Sequence, residues 1–151
     1  MIDRPERVVS VIIPHYNADR FLGEAIASVH AQGDIVAELI VVDDGSSEES
    51  WQRARELSST SSAFTELWVR CSKNHGQGHA LNLGIRAATS PFVALLDADD
   101  VWAIGKLRRQ LATYEHMMSI GTFGTPVVCG HAENFGAQKS EPKPARLTSA
   151  L

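Results

Sequence analysis

Short apolar runs and longer amphipathic stretches alternate along the chain. Val8-Val9-Ser10-Val11-Ile12-Ile13 is β-branched and ends at Pro14, the pattern of a buried strand. Over residues 19–31, Phe21, Leu22, Ala25, Ile26 and Val29 recur at three and four, which predicts an amphipathic helix closed by Gly33. A second strand over 39–43 runs into Asp44-Gly45-Ser46-Ser47. There Ser46 and Glu49 have capping-box spacing for a helix that turns Trp51, Ala54 and Leu57 inward. Residues 58–62 are polar and predict a loop. A third strand over 67–71 leads through Ser72-Lys73-Asn74-His75-Gly76-Gln77-Gly78 to a helix carrying Ala80, Leu81, Leu83, Gly84, Ala87 and Ala88. The fourth strand, 92–96, ends in Asp97-Ala98-Asp99-Asp100. Beyond it the pattern predicts a helix from 102 to about 118, with Leu107, Leu111, Tyr114 and Met118 on one side, and a fifth strand over 126–130.

This alternation predicts an α/β fold, a mostly parallel sheet with helices on both faces. Strands so uniformly apolar are expected to be buried on both sides. In such sheets ligands gather at the carboxyl ends of the strands, so the residues after each strand are the candidates for chemistry. From Ala137 the chain turns polar, with Pro142 and Pro144 and no periodicity. The expected division is a domain over 1–136 and an exposed tail or linker over 137–151.

Strand one ends in Pro14-His15-Tyr16-Asn17, with no glycine until Gly23 inside the helix. A dinucleotide site needs glycine here so that backbone can approach a pyrophosphate, so a nicotinamide or flavin Rossmann site is excluded. Tyr16 either covers the face of a base or packs on the sheet edge. After strand two, Asp44 either accepts from a ring N–H or sugar hydroxyl, or favours the following helix N-terminus. Asp97, Asp99 and Asp100 crowd three carboxylates into four residues after an apolar strand, which invites a cation. Hard oxygen ligands select Mg2+ or Mn2+. Asp100 has a second reading as the cap of the helix expected near 102. Gly76 and Gly78 either admit a ligand closely or simply form a loop. His75 and His79 lack further ligands for zinc, and Asn82 reads as a satisfied core amide. His131, Glu133 and Asn134 follow the expected fifth strand without a defined partner.

Composition narrows the class further. Hydrophobic residues make up 44% of the 151 positions and charged ones 21%, ordinary values for a globular domain. The 14 basic and 18 acidic residues give a net charge of −4, without the clustered cations of a nucleic-acid footprint. No apolar run approaches the ~20 residues that span a bilayer. The first residues lack the apolar core of a secretory signal. Cys71 and Cys129 are expected to be buried free thiols in a reducing compartment. The expected location is cytoplasmic, with peripheral attachment at the inner membrane face left open.

Four blocks, in order, resemble the family 2 glycosyltransferases. They are Val9-Ser10-Val11-Ile12-Ile13-Pro14-His15-Tyr16-Asn17, then Glu38-Leu39-Ile40-Val41-Val42-Asp43-Asp44-Gly45-Ser46-Ser47. The third is Asn74-His75-Gly76-Gln77-Gly78-His79-Ala80-Leu81-Asn82-Leu83-Gly84, and the last Phe92-Val93-Ala94-Leu95-Leu96-Asp97-Ala98-Asp99-Asp100. The resemblance implies a GT-A fold, a nucleotide-diphospho-sugar donor, UDP-linked by preference, and a divalent cation, Mg2+ or Mn2+. It assigns donor contacts to Pro14, Tyr16, Asn17, Asp44, Gly76, Gly78, Asp97 and Ala98. Tyr16 would stack on the base, Asp44 would accept from a uracil N–H, and Asp97 would lie near the ribose or sugar. Asp97-Ala98-Asp99 matches the family's DxD motif, with Asp99 and Asp100 on the metal. The acceptor (saccharide, lipid or protein) and the oligomeric state stay open, and no nucleic acid is expected as a partner. The family's catalytic base lies beyond the fifth strand and finds no match here, so the expected part is a truncated, donor-binding one. The alternative is a nucleotide-sugar-binding module, or a fragment without acceptor site and base. A nucleotidyltransferase would need a glycine-rich, basic loop after strand one, which Pro14-His15-Tyr16-Asn17 does not supply.

Overall fold

The structure is a computed structural model and describes residues 7–57, 64–121, 124 and 126–130. Met1–Arg108 and Arg109–Leu151 form two compact units. The first holds β1 (Val9–His15), α1 (Asp19–His30), β2 (Val36–Asp43), α2 (Glu48–Glu56), β3 (Thr65–Arg70), α3 (Gln77–Ala87) and β4 (Phe92–Leu95). Helix α4 (Lys106–Ser119) begins in the first unit and runs into the second. The expected boundary at 136/137 lies outside the described residues.

The four strands are all parallel, in the order β3-β2-β1-β4. The inner pair explains the unbroken apolar runs, since Val11, Ile12, Ile13, Leu39, Ile40, Val41 and Val42 are all fully buried. On one face Ile12, Ile40 and Val42 pack with Ala80 of α3. Helix α1 packs on the same two strands and buries Leu22, Ala25, Ile26 and Val29, so both faces of the inner strands are covered. Gly84 is where α3 comes nearest the sheet. A Cβ there would lie 2.4 Å from Ile12 Cγ2, a clash that only the absence of a side chain avoids.

The outer strands depart from the expected two-sided burial. Leu67 on β3 and Val93 and Leu95 on β4 are 39%, 42% and 49% exposed, because each outer strand has one neighbour among the described strands. Phe21 and Leu57, expected inside, are exposed as well, while Trp51 is half-buried. The expected fifth strand is not one. Residues 126–130 have no regular structure and Val127 is 84% exposed; within this second unit Val128 spends its carbonyl on the Gln110 side chain rather than on a strand.

Two helix starts also differ from expectation. Helix α2 is capped by Ser47, whose Oγ accepts from the Ser50 N–H, because the Ser46 hydroxyl is taken by the Asn17 N–H at 2.9 Å. Helix α4 starts at Lys106, four residues after Trp102, so Asp100 does not cap it. Buried Gln32 does so from a distance: its Oε1 accepts from the Leu107 N–H and its Nε2 donates to the Ala103 carbonyl. Among the described cysteines, Cys71 is half-buried and Cys129 exposed, both as free thiols, so burial holds only in part for the first. Burial, then the nearby Asp44 and Asp43 carboxylates, pushes the Cys71 thiol up.

Candidate functional site

Chain direction across the sheet reverses at β1, with β2 and β3 on one side and β4 on the other. This is the switch point at which open parallel sheets bind ligands. Tyr16 follows β1 there, and Asp97 to Asp100 follow β4, within one turn closed by the Asp100 N–H on the Asp97 carbonyl.

The β1 end is built for exposure at its tip. Pro14, in register with Val42, lies two residues beyond Ile12, where pairing with β4 stops. Its missing N–H therefore costs no ladder bond. Tyr16 is 51% exposed, so its ring is available for stacking. Asn17 takes a left-handed conformation (φ 49°), which asparagine tolerates, and its Oδ1 accepts from the Ser47 N–H at 3.0 Å. It therefore ties the β1 loop to the β2 loop, and its side-chain oxygen is already used.

Behind Tyr16 lies a polar group that the sequence reading passed over. His15 and Asp43 are neighbours in register, both buried, with His15 Nε2 3.8 Å from Asp43 Oδ1. Burial pushes the imidazole below its ordinary value, against the pull of Asp43 and Asp19. Arg70 Nε reaches to 3.4 Å from Asp43 Oδ2 and its Nη1 donates to Glu48.

Asp44 follows directly and is also buried. Its carboxylate accepts the Gly76 N–H at 2.7 Å and the His75 N–H at 3.1 Å. It thus holds the loop between β3 and α3 against the end of β2. Gly45 is required by the same approach: its φ is +78°, and a Cβ would lie 2.3 Å from the Lys73 carbonyl carbon. Gly76, at φ +94°, is the N-cap of α3, whereas a Cβ on Gly78 would meet nothing. The glycine requirement is therefore conformational at Gly76, and no steric need is visible at Gly78. His75 and His79 are exposed and pack ring on ring at 4.5 Å, and Asn82 is exposed rather than a core amide.

At the β4 end, Asp97, Asp99 and Asp100 are exposed, while Ala98 turns its methyl inward and anchors the turn. Asp97 Oδ1 accepts from Gln77 Nε2 at 2.6 Å, a contact between strand ends that the sequence reading did not anticipate. Burial, then repulsion from Asp97 and Asp99, pushes the Asp100 carboxyl up. Hard oxygens around uncompensated negative charge suit a divalent cation. Among the described residues no three acidic, histidine or cysteine side chains form a ready-made cage. His131, Glu133 and Asn134 lie outside the described residues.

Residues 10–150 match the glycosyl transferase family 2 profile. An uncharacterized glycosyltransferase of Nostoc sp. is 41% identical over 113 residues, covering 75% of this chain and 34% of that protein. The mannosyltransferase PcManGT of Pyrobaculum calidifontis, in complex with GDP-Man and Mn2+, superposes with a TM-score of 0.59. Its identity is 28%, over 68% of this chain and 31% of that one. Residues 1–349 of S. aureus TarS in complex with UDP give a TM-score of 0.61 at 25% identity, over 74% of this chain and 33% of that one. The chain spans about a third of the length of these proteins. With four signature blocks in order, a parallel sheet of the GT-A kind and a profile match over nearly its whole length, the chain belongs to glycosyl transferase family 2.

Proposed function

We propose that this chain binds the nucleoside diphosphate of a UDP-linked sugar donor across the ends of β1, β2 and β4, as the donor side of a glycosyl transfer to an acceptor hydroxyl. The observation that carries this reading is the convergence at one sheet end of an exposed ring, a buried carboxylate and an exposed carboxylate run: Tyr16, Asp44 and Asp97 to Asp100. Tyr16 offers a stacking face for the base. Asp44 keeps acceptor capacity after its two backbone partners, since a carboxylate has about four lone-pair sites. That leaves room for one ring N–H of a uracil. Asp99 and Asp100 would hold a divalent cation, which neutralises charge on the departing diphosphate. The backbone around Gly76 can approach a phosphate without a side chain in the way. UDP bound to TarS and GDP-Man with Mn2+ bound to PcManGT support a nucleotide donor with a metal, and the uracil preference rests on Asp44.

Calorimetry with UDP, GDP, CDP and dTDP, each with Mn2+ and with EDTA, tests the reading. UDP is expected to bind most tightly and to need Mn2+, and Asp99→Ala to lose that metal-dependent part. Binding of UDP that is indifferent to both EDTA and Asp99→Ala would remove the carboxylate run from the site.

A further inference from the structure

His75 and His79 flank the N-cap of α3, with their ring centroids 4.5 Å apart and the ring planes tilted by 33°. Both side chains are exposed, and among the described residues neither imidazole is spent on a hydrogen bond or a carboxylate. His15 and His30 differ in this respect, since His15 is buried beside Asp43 and His30 lies 3.8 Å from Glu66. The backbone of the pair is held in place. The His75 N–H lies on the buried Asp44 carboxylate at 3.1 Å, and the His79 N–H donates to the Gly76 carbonyl at 2.9 Å.

Two imidazoles four positions apart, about one helical turn, can face a single metal ion together. Where their nitrogens lie about 2.0–2.1 Å from the ion and about 90–110° apart around it, the ring centroids fall about 4.5–5 Å apart. The observed separation sits at the near end of that range, so the rings need only turn about their side-chain bonds to converge. Imidazole suits Cu2+, Ni2+ and Zn2+, whereas Mg2+ and Mn2+ favour oxygen. Two ligands are too few for a closed zinc site, but an exposed ion keeps water at its remaining positions. The positive end of the α3 dipole opposes a cation here, and the Asp44 charge beneath the His75 and Gly76 N–H groups offsets it. We infer that His75 and His79 form a two-imidazole site for one divalent transition ion, with Cu2+ held most tightly, separate from the carboxylate run.

Calorimetry with Ni2+ on the full chain, free of any histidine tag, tests this with the parent, His75→Ala, His79→Ala and Asp99→Ala. The parent is expected to bind one Ni2+ at the pair and to gain thermal midpoint with it. Each histidine variant should lose about ten- to a hundredfold in affinity, because the second imidazole acts as an intramolecular ligand. Both should lose the same ion, since each removes half of a shared site. The rings are exposed, so both variants should keep the parent's thermal midpoint without metal. Asp99→Ala should keep the parent's Ni2+ affinity. A parent that binds no Ni2+, or histidine variants that bind it as tightly as the parent, overturns the site. An equal loss in Asp99→Ala also overturns it, by moving the ion to the carboxylate run. The nucleotide reading stands or falls separately, on the UDP titrations above.

Discussion

Carboxylates occupy both ends of the sheet, in opposite conditions. Towards the amino ends, Glu38 stands alone and buried. It accepts from the Ser10 hydroxyl at 2.5 Å, the Thr89 N–H at 2.6 Å and the Thr89 hydroxyl at 3.1 Å, and Ser10 in turn accepts from the Ser90 N–H. Burial works against its charge, but these hydrogen bonds outweigh that cost and hold the carboxyl below its ordinary value. At the carboxyl ends, Asp97, Asp99 and Asp100 crowd together, and among the described residues Gln77 alone donates to them. Glu38 knits β1, β2 and the approach to β4 into one sheet. The aspartates repel one another, and among the described residues only Asp97 has a hydrogen bond to its carboxylate. A carboxylate surrounded by donors serves structure; the exposed set at the other end keeps its charge for the cation proposed above.

The sharpest way to break this contrast is Glu38→Ala. It should cost about 3 kcal/mol, because the Thr89 N–H and the Ser10 hydroxyl lose a buried acceptor. Urea unfolding reads it, and a variant as stable as the parent would erase the difference between the two ends. Asp44→Ala comes next, since the proposed site includes Asp44, which is satisfied like Glu38. It should lose about 1–3 kcal/mol of stability through the freed His75 and Gly76 N–H groups and also weaken UDP. Retained stability with weakened UDP would place Asp44 wholly with the site.

A smaller effect concerns acid. The folded value of Glu38 lies below the ordinary 4.5, so its contribution is fully present above about that pH and fades as pH falls through the lower folded value. Glu38→Gln should therefore show a shallower decline in stability over that window than the parent in acid titrations followed by circular dichroism. Smallest is Asp100→Asn. Removing one of three crowded charges should raise the unfolding free energy at neutral pH by at most about 0.5 kcal/mol, because solvent screens an exposed group. A clear loss of stability instead would mean that the run is structural after all.

Much of this organisation was legible along the chain. Fully buried inner strands leave a signature in unbroken runs such as Val11-Ile12-Ile13 and Leu39-Ile40-Val41-Val42, and the strand-end carboxylates stand out because they follow directly. The misreadings share a physical cause, namely partners far apart in sequence. Residues 126–130 have the composition of a strand, but a strand exists only through a neighbour, which residue composition does not encode. The start of α4 depends on Gln32, 75 positions before Leu107, so Trp102 looked as good a start as Lys106. Ser46 lost the capping role to Ser47 because Asn17, 29 residues earlier, claims its hydroxyl. Gln77 went unremarked for the same reason, since its meaning lies in Asp97, 20 residues later. His15 and Asp43 meet only through the pairing of β1 with β2, 28 positions apart along the chain.

The bare backbone of Gly84 against Ile12 reaches further than packing. It lets α3 sit directly against β1, while Asp44 pins the segment just ahead of it. The segment ahead of α3 is thus held to the end of β2 by Asp44 and carried on a helix seated directly against β1. Enlarging that one position would be felt more than two helical turns away, at the Gly76 N–H that Asp44 holds.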